Sequence, residues 1–245
     1  MIATPDSLSI DDNVLKDRAG RVVATLSKGL GLAEAFSYAH VFAASAELLR
    51  FMEIKVTESV AALEAYDTRM KQEFSKTRAY VGHTTYSNPP AWLEESILAV
   101  AMAKGESVQR NQKLIMTNLD PLLVKDNYLT NYEGKIIAVL SKDSGEDKVL
   151  AYAHLFAASV HLLDIINFLS SKELAEIEQS CKVAREFNKL SDIPPDVPVL
   201  GAPSPFIPDS LQKTLQMVAK AKGKEFRTPS FTRVRTVGCQ KENPS

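Results

Sequence analysis

Two histidines, His40 and His154, are the residues whose type and placement come closest to a chemical site. They hold equivalent places in two similar stretches of the chain, 114 residues apart. His161 follows His154 by seven residues, which on a helix separates the two by about 10 Å. Paired metal ligands on one helix are closer, usually three or four positions apart, as the two histidines of HExxH are. The other copy has Glu47 in place of His161, so the pattern predicts no metal site.

His40 and His154 are therefore interpreted as structural side chains that form hydrogen bonds to a neighbouring strand or loop. A role in partner binding is the functional alternative. The chain contains no GxSxG, HExxH, P-loop, GxGxxG or paired CxxC sequence, which are the usual signatures of nucleophile, metal and phosphate sites. The sequence thus predicts a protein that is not an enzyme and uses no cofactor.

The elements that position these histidines come in two copies. Residues Gly20–Leu49 align without a gap with Gly134–Leu163, and fifteen of the thirty pairs are identical. Similarity extends from about residue 1 to about residue 227, a length typical of duplicated domains. We expect two tandem α+β domains at 1–110 and 111–228, followed by a basic tail at 229–245.

Each copy is predicted to begin with a small antiparallel sheet. Short apolar stretches at Leu8–Ile10 and Leu122–Val124 lead into a polar turn, and β-branched runs at Val22–Leu26 and Ile136–Leu140 follow a glycine. Because β-branched side chains suit a pleated surface and glycine suits the turn before it, the pattern indicates a β-hairpin or small meander.

The sheet is expected to pack on a long central helix, accompanied by two further helices. Apolar residues at helical spacing predict the central helix over about 33–54 and 148–168, with Ser45 and Ser159 bonded to the preceding turn. A second helix is predicted to begin at Thr57 or Ser170. The third is predicted over Ala91–Lys104 and Asp209–Lys222, each ending at a glycine that tolerates positive φ, Gly105 and Gly223.

The strand and central helix of each copy resemble a motif of phage proteins. Gly20–Ala24 and Gly134–Ala138 are similar to a strand written G-R-V-I-A in small uncharacterised phage and prophage proteins. Tyr38–Leu49 and Tyr152–Leu163 are similar to their helix A-N-A-x-L-I-A-A-A-P-E-L-L, with tyrosine for the asparagine and alanine or valine for the proline. The resemblance implies a phage-encoded protein that acts in the host cytoplasm, and it assigns no activity to any residue.

Composition is that of an ordinary soluble protein, with 45% hydrophobic and 24% charged residues. The first twelve residues are acidic and have no basic start followed by an apolar stretch, so we expect no secretory signal. No apolar run is expected to span a bilayer, and we expect a cytoplasmic protein without membrane contact. Two cysteines, Cys181 and Cys239, do not make a disulfide framework.

Charge is uneven along the chain. The net charge is −1, but residues 222–245 carry six Lys or Arg against two Asp or Glu. Arg227, Arg233 and Arg235 therefore support an alternative function in nucleic-acid binding. Ser230–Val237 has a strand-like alternation; a disordered basic tail is the preferred interpretation, and addition to an exposed sheet edge is the alternative hypothesis.

An aromatic group occurs near the connection of copy one only. Its members, with the paired histidines, are the candidate partner-binding residues: Tyr80, His83, Tyr86, Trp92, His40 and His154. Copy two has Ser210 where copy one has Trp92. We expect a non-enzymatic binding protein, a phage accessory factor that engages a host protein or a defence component. A small-ligand sequestering protein and a homo-oligomer stay open as alternatives.

Overall fold

The computed structural model describes residues 8–76, 89–106, 122–142, 145–190 and 207–226. These stretches form an α+β fold, as expected, with six strands and four helices. In chain order the elements are β1 (Ser9–Asp11), β2 (Val14–Lys16), β3 (Val22–Leu26), α1 (Leu32–Lys76), α2 (Ala91–Ala103), β4 (Leu123–Lys125), β5 (Tyr128–Thr130), β6 (Ile136–Leu140), α3 (Glu146–Leu190) and α4 (Asp209–Ala221).

All six strands belong to one antiparallel sheet, in the order β1-β2-β3-β6-β5-β4. Strands β1 to β3 form one meander and β4 to β6 form the other, which confirms the meander predicted for each copy. The two meanders join where Thr25 of β3 pairs with Val139 of β6. Since Thr25 and Val139 are equivalent positions of the repeat, a local twofold relation passes through this pair.

The first turn of each meander depends on an aspartate and an asparagine. Asp12 has a φ of 56°, a left-handed conformation that aspartate and asparagine adopt more readily than most residues. The Asn13 side chain then donates a hydrogen bond of 3.2 Å to the carbonyl oxygen of Leu26, tying the turn to the end of β3. Asp126 and Asn127 repeat this arrangement in copy two.

The two faces of the sheet differ in burial. On the inner face, Leu15, Ala24 and Leu140 lie side by side across β2, β3 and β6, and each is at most 1% exposed. On the outer face, Val14, Thr25 and Val139 are half-buried and Tyr128 is exposed. An antiparallel sheet with one buried and one solvated face shows this pattern.

The helix that follows each meander is longer than predicted. We expected a break before Thr57 and before Ser170, but α1 and α3 each run without interruption for 45 residues. Neither helix contains glycine or proline. Thr57 does not cap a new helix, since its hydroxyl donates to the carbonyl oxygen of Glu53, four residues earlier in the same helix. Ser170 is likewise inside the helix and buried.

The centre of the core is a stacked pair of equivalent phenylalanines. The rings of Phe42 and Phe156 are nearly parallel, with centroids 4.6 Å apart. Tyr38 and Tyr152 pack beside them and are almost fully buried. The hydroxyls of Ser45 and Ser159 donate to the carbonyl oxygens three residues earlier at 2.7 Å, which confirms their predicted bonding to the preceding turn.

Helix α3 corrects the expectation that no segment is apolar enough to span a bilayer. Over Glu146–Val183 it contains a window of 18 residues with a mean hydropathy of 1.7, and 78% of that window is buried inside the protein. The buried core helix of a soluble protein passes the same test of length and composition.

Contacts divide the chain into two compact units. The first, Met1–Asn167 with Met217–Glu225, contains the whole sheet, α1, α2 and the core described above. The second, Phe168–Gln216 with Phe226–Ser245, contains the later part of α3 and the first part of α4. Within it, Ser170, Leu211 and Thr214 are buried, and the Thr214 hydroxyl donates to the carbonyl oxygen of Ser210.

Candidate functional site

Helices α2 and α4 end as predicted, each at a glycine with positive φ. The value is 75° at Gly105 and 64° at Gly223. At the end of α2, the amide of Gly105 donates to Met102 and the amide of Glu106 donates to Ala101. The end of α4 repeats both bonds. This Schellman arrangement satisfies carbonyl groups that a helix end would otherwise leave free.

Each of these glycines lies against the repeated histidine of the other copy: Gly105 against His154, and Gly223 against His40. A methyl group added to Gly105 would lie 3.0 Å from Cδ2 of His154, and one added to Gly223 would lie 2.7 Å from Cδ2 of His40. Both distances are shorter than an ordinary carbon contact. Helix α2 of copy one thus ends on the central helix of copy two, and α4 of copy two ends on that of copy one.

The His40 site consists of His40, its neighbours on α1 and the end of α4. The His40 ring meets the Phe36 ring edge to face, with centroids 4.3 Å apart. Its Nε2 is buried and has no hydrogen-bond partner among the described residues, which contradicts the expectation that this histidine is fully hydrogen-bonded. Burial lowers the pKa of His40 below its usual value, so the ring is neutral at pH 7.

Charged side chains surround the end of α4 at the same site. Lys220 forms an ion pair of 2.8 Å with Glu47, and Lys222 donates to the Asn167 side chain at 2.7 Å. Burial raises the pKa of Asp164 to about 7, although the nearby Lys222 opposes this shift. Burial also lowers the pKa of Lys222. For both groups, therefore, the cost of desolvation exceeds their mutual attraction.

The His154 site consists of His154, Gly105 and an open cleft of about 430 Å³. A volume of this size falls in the range of small-molecule sites. Burial lowers the pKa of His154, which leaves a neutral imidazole able to donate one hydrogen bond and accept another. The cleft is bordered by the end of α2, by β4 and β5, and by α3, and its lining residues are Met102, Glu106, Leu123, Val124, Lys125, Thr130, His154 and Ala157.

Two substitutions between the copies set the polar groups of this cleft. In copy one, Lys16 forms an ion pair with Asp11 across the meander. The equivalent positions in copy two are Thr130 and Lys125, which cannot form that pair. Lys125 consequently has no ion-pair partner within the described part of the chain, and the same holds for the Glu106 side chain.

A patch of exposed apolar and aromatic side chains adjoins this cleft on copy two, at the hairpin of β5 and β6. We call it the tyrosine patch, and it consists of Tyr128 (38% exposed), Tyr132 (65%) and Ile136 (41%). Tyr128 lies opposite Val139, and Ile136 lies opposite Thr130, so the strand members of the patch share the outer face. Sequence reasoning missed this patch. Comparison of the copies could have found it, since copy one has Val14, Arg18 and Val22 instead.

Several predicted site residues lie outside the described residues. These are the aromatic group Tyr80, His83 and Tyr86, the tail arginines Arg227, Arg233 and Arg235, and the predicted edge segment Ser230–Val237. Trp92 is described. It is half-buried in the first turn of α2, where the Ser96 hydroxyl donates to its carbonyl oxygen at 2.6 Å. Among the described residues, the structure therefore places each predicted histidine against the glycine that ends the last helix of the other copy.

Metal ligands and reactive thiols give no further site among the described residues. No group of three His, Cys, Asp or Glu side chains in those residues could hold a metal ion. Cys181 is half-buried on α3 as a free thiol. The arrangement around His40 and His154 offers packing contacts and, at His154, a polar cleft. The chain matches no protein-family model, no curated protein and no solved structure.

Proposed function

We propose that the chain is a non-enzymatic binding protein that engages another protein through the tyrosine patch. The observation that carries the proposal is the exposure of Tyr128 and Ile136 on the outer face of the sheet and of Tyr132 in the turn between β5 and β6. The solvated face of an antiparallel sheet is ordinarily polar. Tyrosine supplies large contact area with a hydrogen-bonding end, and it is enriched among the residues that dominate binding energy at protein interfaces.

The two copies differ in the size and charge of these exposed side chains, as the proposal requires. Tyr128 and Ile136 are larger than their copy-one counterparts, which are both valine, and Tyr132 replaces the charged Arg18. At the centre of the core, in contrast, the stacked Phe42 and Phe156 are identical in the two copies. Larger side chains on an exposed surface do not contribute to the packing of the core. The difference fits a surface that one copy has acquired for a partner.

We further propose the origin and setting of the protein. Strands and helices of the two copies have equal lengths, which supports a tandem duplication with copies at 1–110 and 111–228. The resemblance of Tyr38–Leu49 and Tyr152–Leu163 to a phage motif supports a phage accessory factor. Its partner is then a host protein or a defence component, met in the host cytoplasm.

The test exchanges the tyrosine patch for the residues of copy one. A triple variant, Tyr128→Val, Tyr132→Arg and Ile136→Val, removes the patch with side chains that the same fold already carries. Proteins retained from host extract by the wild type are identified, purified and titrated against both forms by calorimetry. Leu32→Ala is the matched control, since it removes an apolar side chain that is 92% exposed elsewhere.

We expect the triple variant to bind the purified partner at least about 10-fold more weakly, while the control binds as the wild type does. Light scattering of the chain alone separates a foreign partner from a second copy of this chain. Equal affinity of the wild type and the triple variant for every retained protein contradicts the proposal.

A further inference from the structure

The cleft at the His154 site combines an apolar wall with two charges of opposite sign. Met102 from α2, Leu123 from β4 and Ala157 from α3 contribute apolar surface. Lys125 and Glu106 contribute an ammonium and a carboxylate, and both are exposed. Neither charge is neutralised by a described side chain, so both are available to a bound molecule.

The same places at the His40 site carry a different set of charges. Copy one has Asp11 where copy two has Lys125, and Asp11 is occupied by its ion pair with Lys16. The helix end of α4 has Lys224 where that of α2 has Glu106. The pairing of a free cation with a free anion beside an apolar wall is therefore a property of the His154 site and not of the repeated framework.

We propose that the cleft binds a small zwitterion with an apolar body, the chemistry of a free apolar amino acid or a short apolar peptide. Lys125 pairs with the carboxylate of the ligand, and Glu106 pairs with its ammonium group. The apolar body lies against Met102, Leu123 and Ala157. The neutral His154 and the Thr130 hydroxyl supply directional hydrogen bonds. The cleft adjoins the tyrosine patch, since Lys125 pairs with Tyr128 and Thr130 pairs with Ile136 in the sheet, but it does not depend on a protein partner.

Charge balance favours a zwitterion over an ion of one sign. A simple organic anion would satisfy Lys125 but would bring its charge close to the Glu106 carboxylate, and a simple amine would meet Lys125 in the same way. A neutral apolar molecule would leave both charges unpaired beside it. Only a ligand with both charges forms two charge-assisted hydrogen bonds, which are the stronger kind.

Calorimetric titration of the full chain tests the proposal. The ligands are leucine, phenylalanine and the dipeptide of two leucines, each compared with analogues that keep one charge, namely 4-methylpentanoate and 3-methylbutylamine. The protein variants are Lys125→Met and Glu106→Gln. Their matched controls are the counterparts at the His40 site, Asp11→Asn and Lys224→Gln.

We expect at least one zwitterion to bind about 10-fold or more tightly than either single-charge analogue, with a comparable loss in each cleft variant and none in the controls. Tighter binding of the dipeptide than of leucine identifies a short peptide, rather than a free amino acid, as the ligand. Absence of binding by all three zwitterions overturns the proposal. Equal binding of a single-charge analogue, or equal losses in the control variants, overturns it as well.

Discussion

The His40 site and the His154 site share a framework and differ in what fills it. At both, a helix ends at a glycine that lies directly against the histidine of the other copy. At the His40 site the Phe36 ring covers the imidazole. At the His154 site the equivalent residue is Leu150, which is 53% exposed, and a cleft of about 430 Å³ lies open.

The helix ends also differ in charge. Lys104 at the end of α2 forms an ion pair of 2.8 Å with Glu53 on the exposed surface. At the end of α4 the equivalent lysine, Lys222, meets the neutral Asn167 and the partly buried Asp164. The comparison teaches that a repeated framework fixes backbone contacts, while single substitutions decide whether a site is closed packing or an open cleft.

The largest expected effect comes from adding a methyl group at the two helix ends. Gly223→Ala should lower the free energy of unfolding by about 2 to 3 kcal/mol, because alanine is strained at positive φ and its Cβ would overlap His40. Gly105→Ala should cost about 1 to 2 kcal/mol, since His154 borders the open cleft and has room to move. Chemical denaturation measures both.

Gly20→Ala supplies the control for these substitutions. Gly20 has a φ of 77° but nothing within 4 Å of an added Cβ, so its cost, about 1 kcal/mol, reports the backbone strain alone. Equal losses for Gly20→Ala and Gly223→Ala would show that the contact with His40 does not matter to stability.

Replacement of the histidines separates the two sites next. His40→Leu should raise the free energy of unfolding by about 1 kcal/mol at pH 7.5, because it removes a buried nitrogen without a hydrogen-bond partner. His154→Leu should give no comparable gain. Chemical denaturation of both variants and the wild type at pH 7.5 measures the difference in the free energy of unfolding. A gain in stability for His154→Leu and none for His40→Leu would contradict the unsatisfied nitrogen at His40.

The same variants have a pH dependence of known sign. The pKa of each histidine is lowered in the folded protein, so the unfolded chain binds more protons as the pH falls below about 6.5. The stability contribution of the neutral rings is complete above that pH and is lost as the pH falls through the folded pKa. Each leucine variant should therefore lose less stability between pH 7 and pH 5 than the wild type does.

The smallest expected effect concerns the carboxyl group at the end of α4. The pKa of Asp164 is about 7 in the folded protein and about 4 when unfolded, so stability falls as the pH rises from about 4 to about 7. Asp164→Asn should remove this slope and stabilise the protein at pH 8 by about 1 kcal/mol, an amount reduced by solvent screening of a partly exposed side chain.

Denaturation at pH 4, 6 and 8 measures this effect. The control is Asp147→Asn, which changes an exposed carboxyl group in the first turn of the same helix. Wild-type stability that does not decrease between pH 6 and pH 8 relative to Asp164→Asn would contradict a protonated Asp164.

The strands and the last helix of each copy could be predicted closely from local signals. Gly20 and the β-branched residues after it placed β3, and Gly105 placed the end of α2. The length of α1 could not be predicted in the same way. Thr57 has the chemistry of a helix cap, but its hydroxyl serves equally well inside a helix by bonding to Glu53, and nothing local distinguishes the two.

The candidate sites were harder to predict than the fold. His40 and His154 were singled out because they recur, yet recurrence did not reveal that one faces a cleft and the other is covered. Asp164 gave no signal, because its shifted pKa results from burial beside α4. The tyrosine patch could be detected only by comparing its residues with the equivalent residues of copy one. The sequence did not show which of those positions are exposed.

The sequence by itself determined the repeat, the order of strands and helices, and the glycines at the helix ends, because each of these depends on residues close together in the chain. Only the tertiary structure decided that the copies share one sheet through Thr25 and Val139 and that each last helix ends on the other copy. Those contacts join residues far apart in the chain, from 49 positions between Gly105 and His154 to 183 between His40 and Gly223. Their energy comes from burial and complementary shape, which no local pattern records.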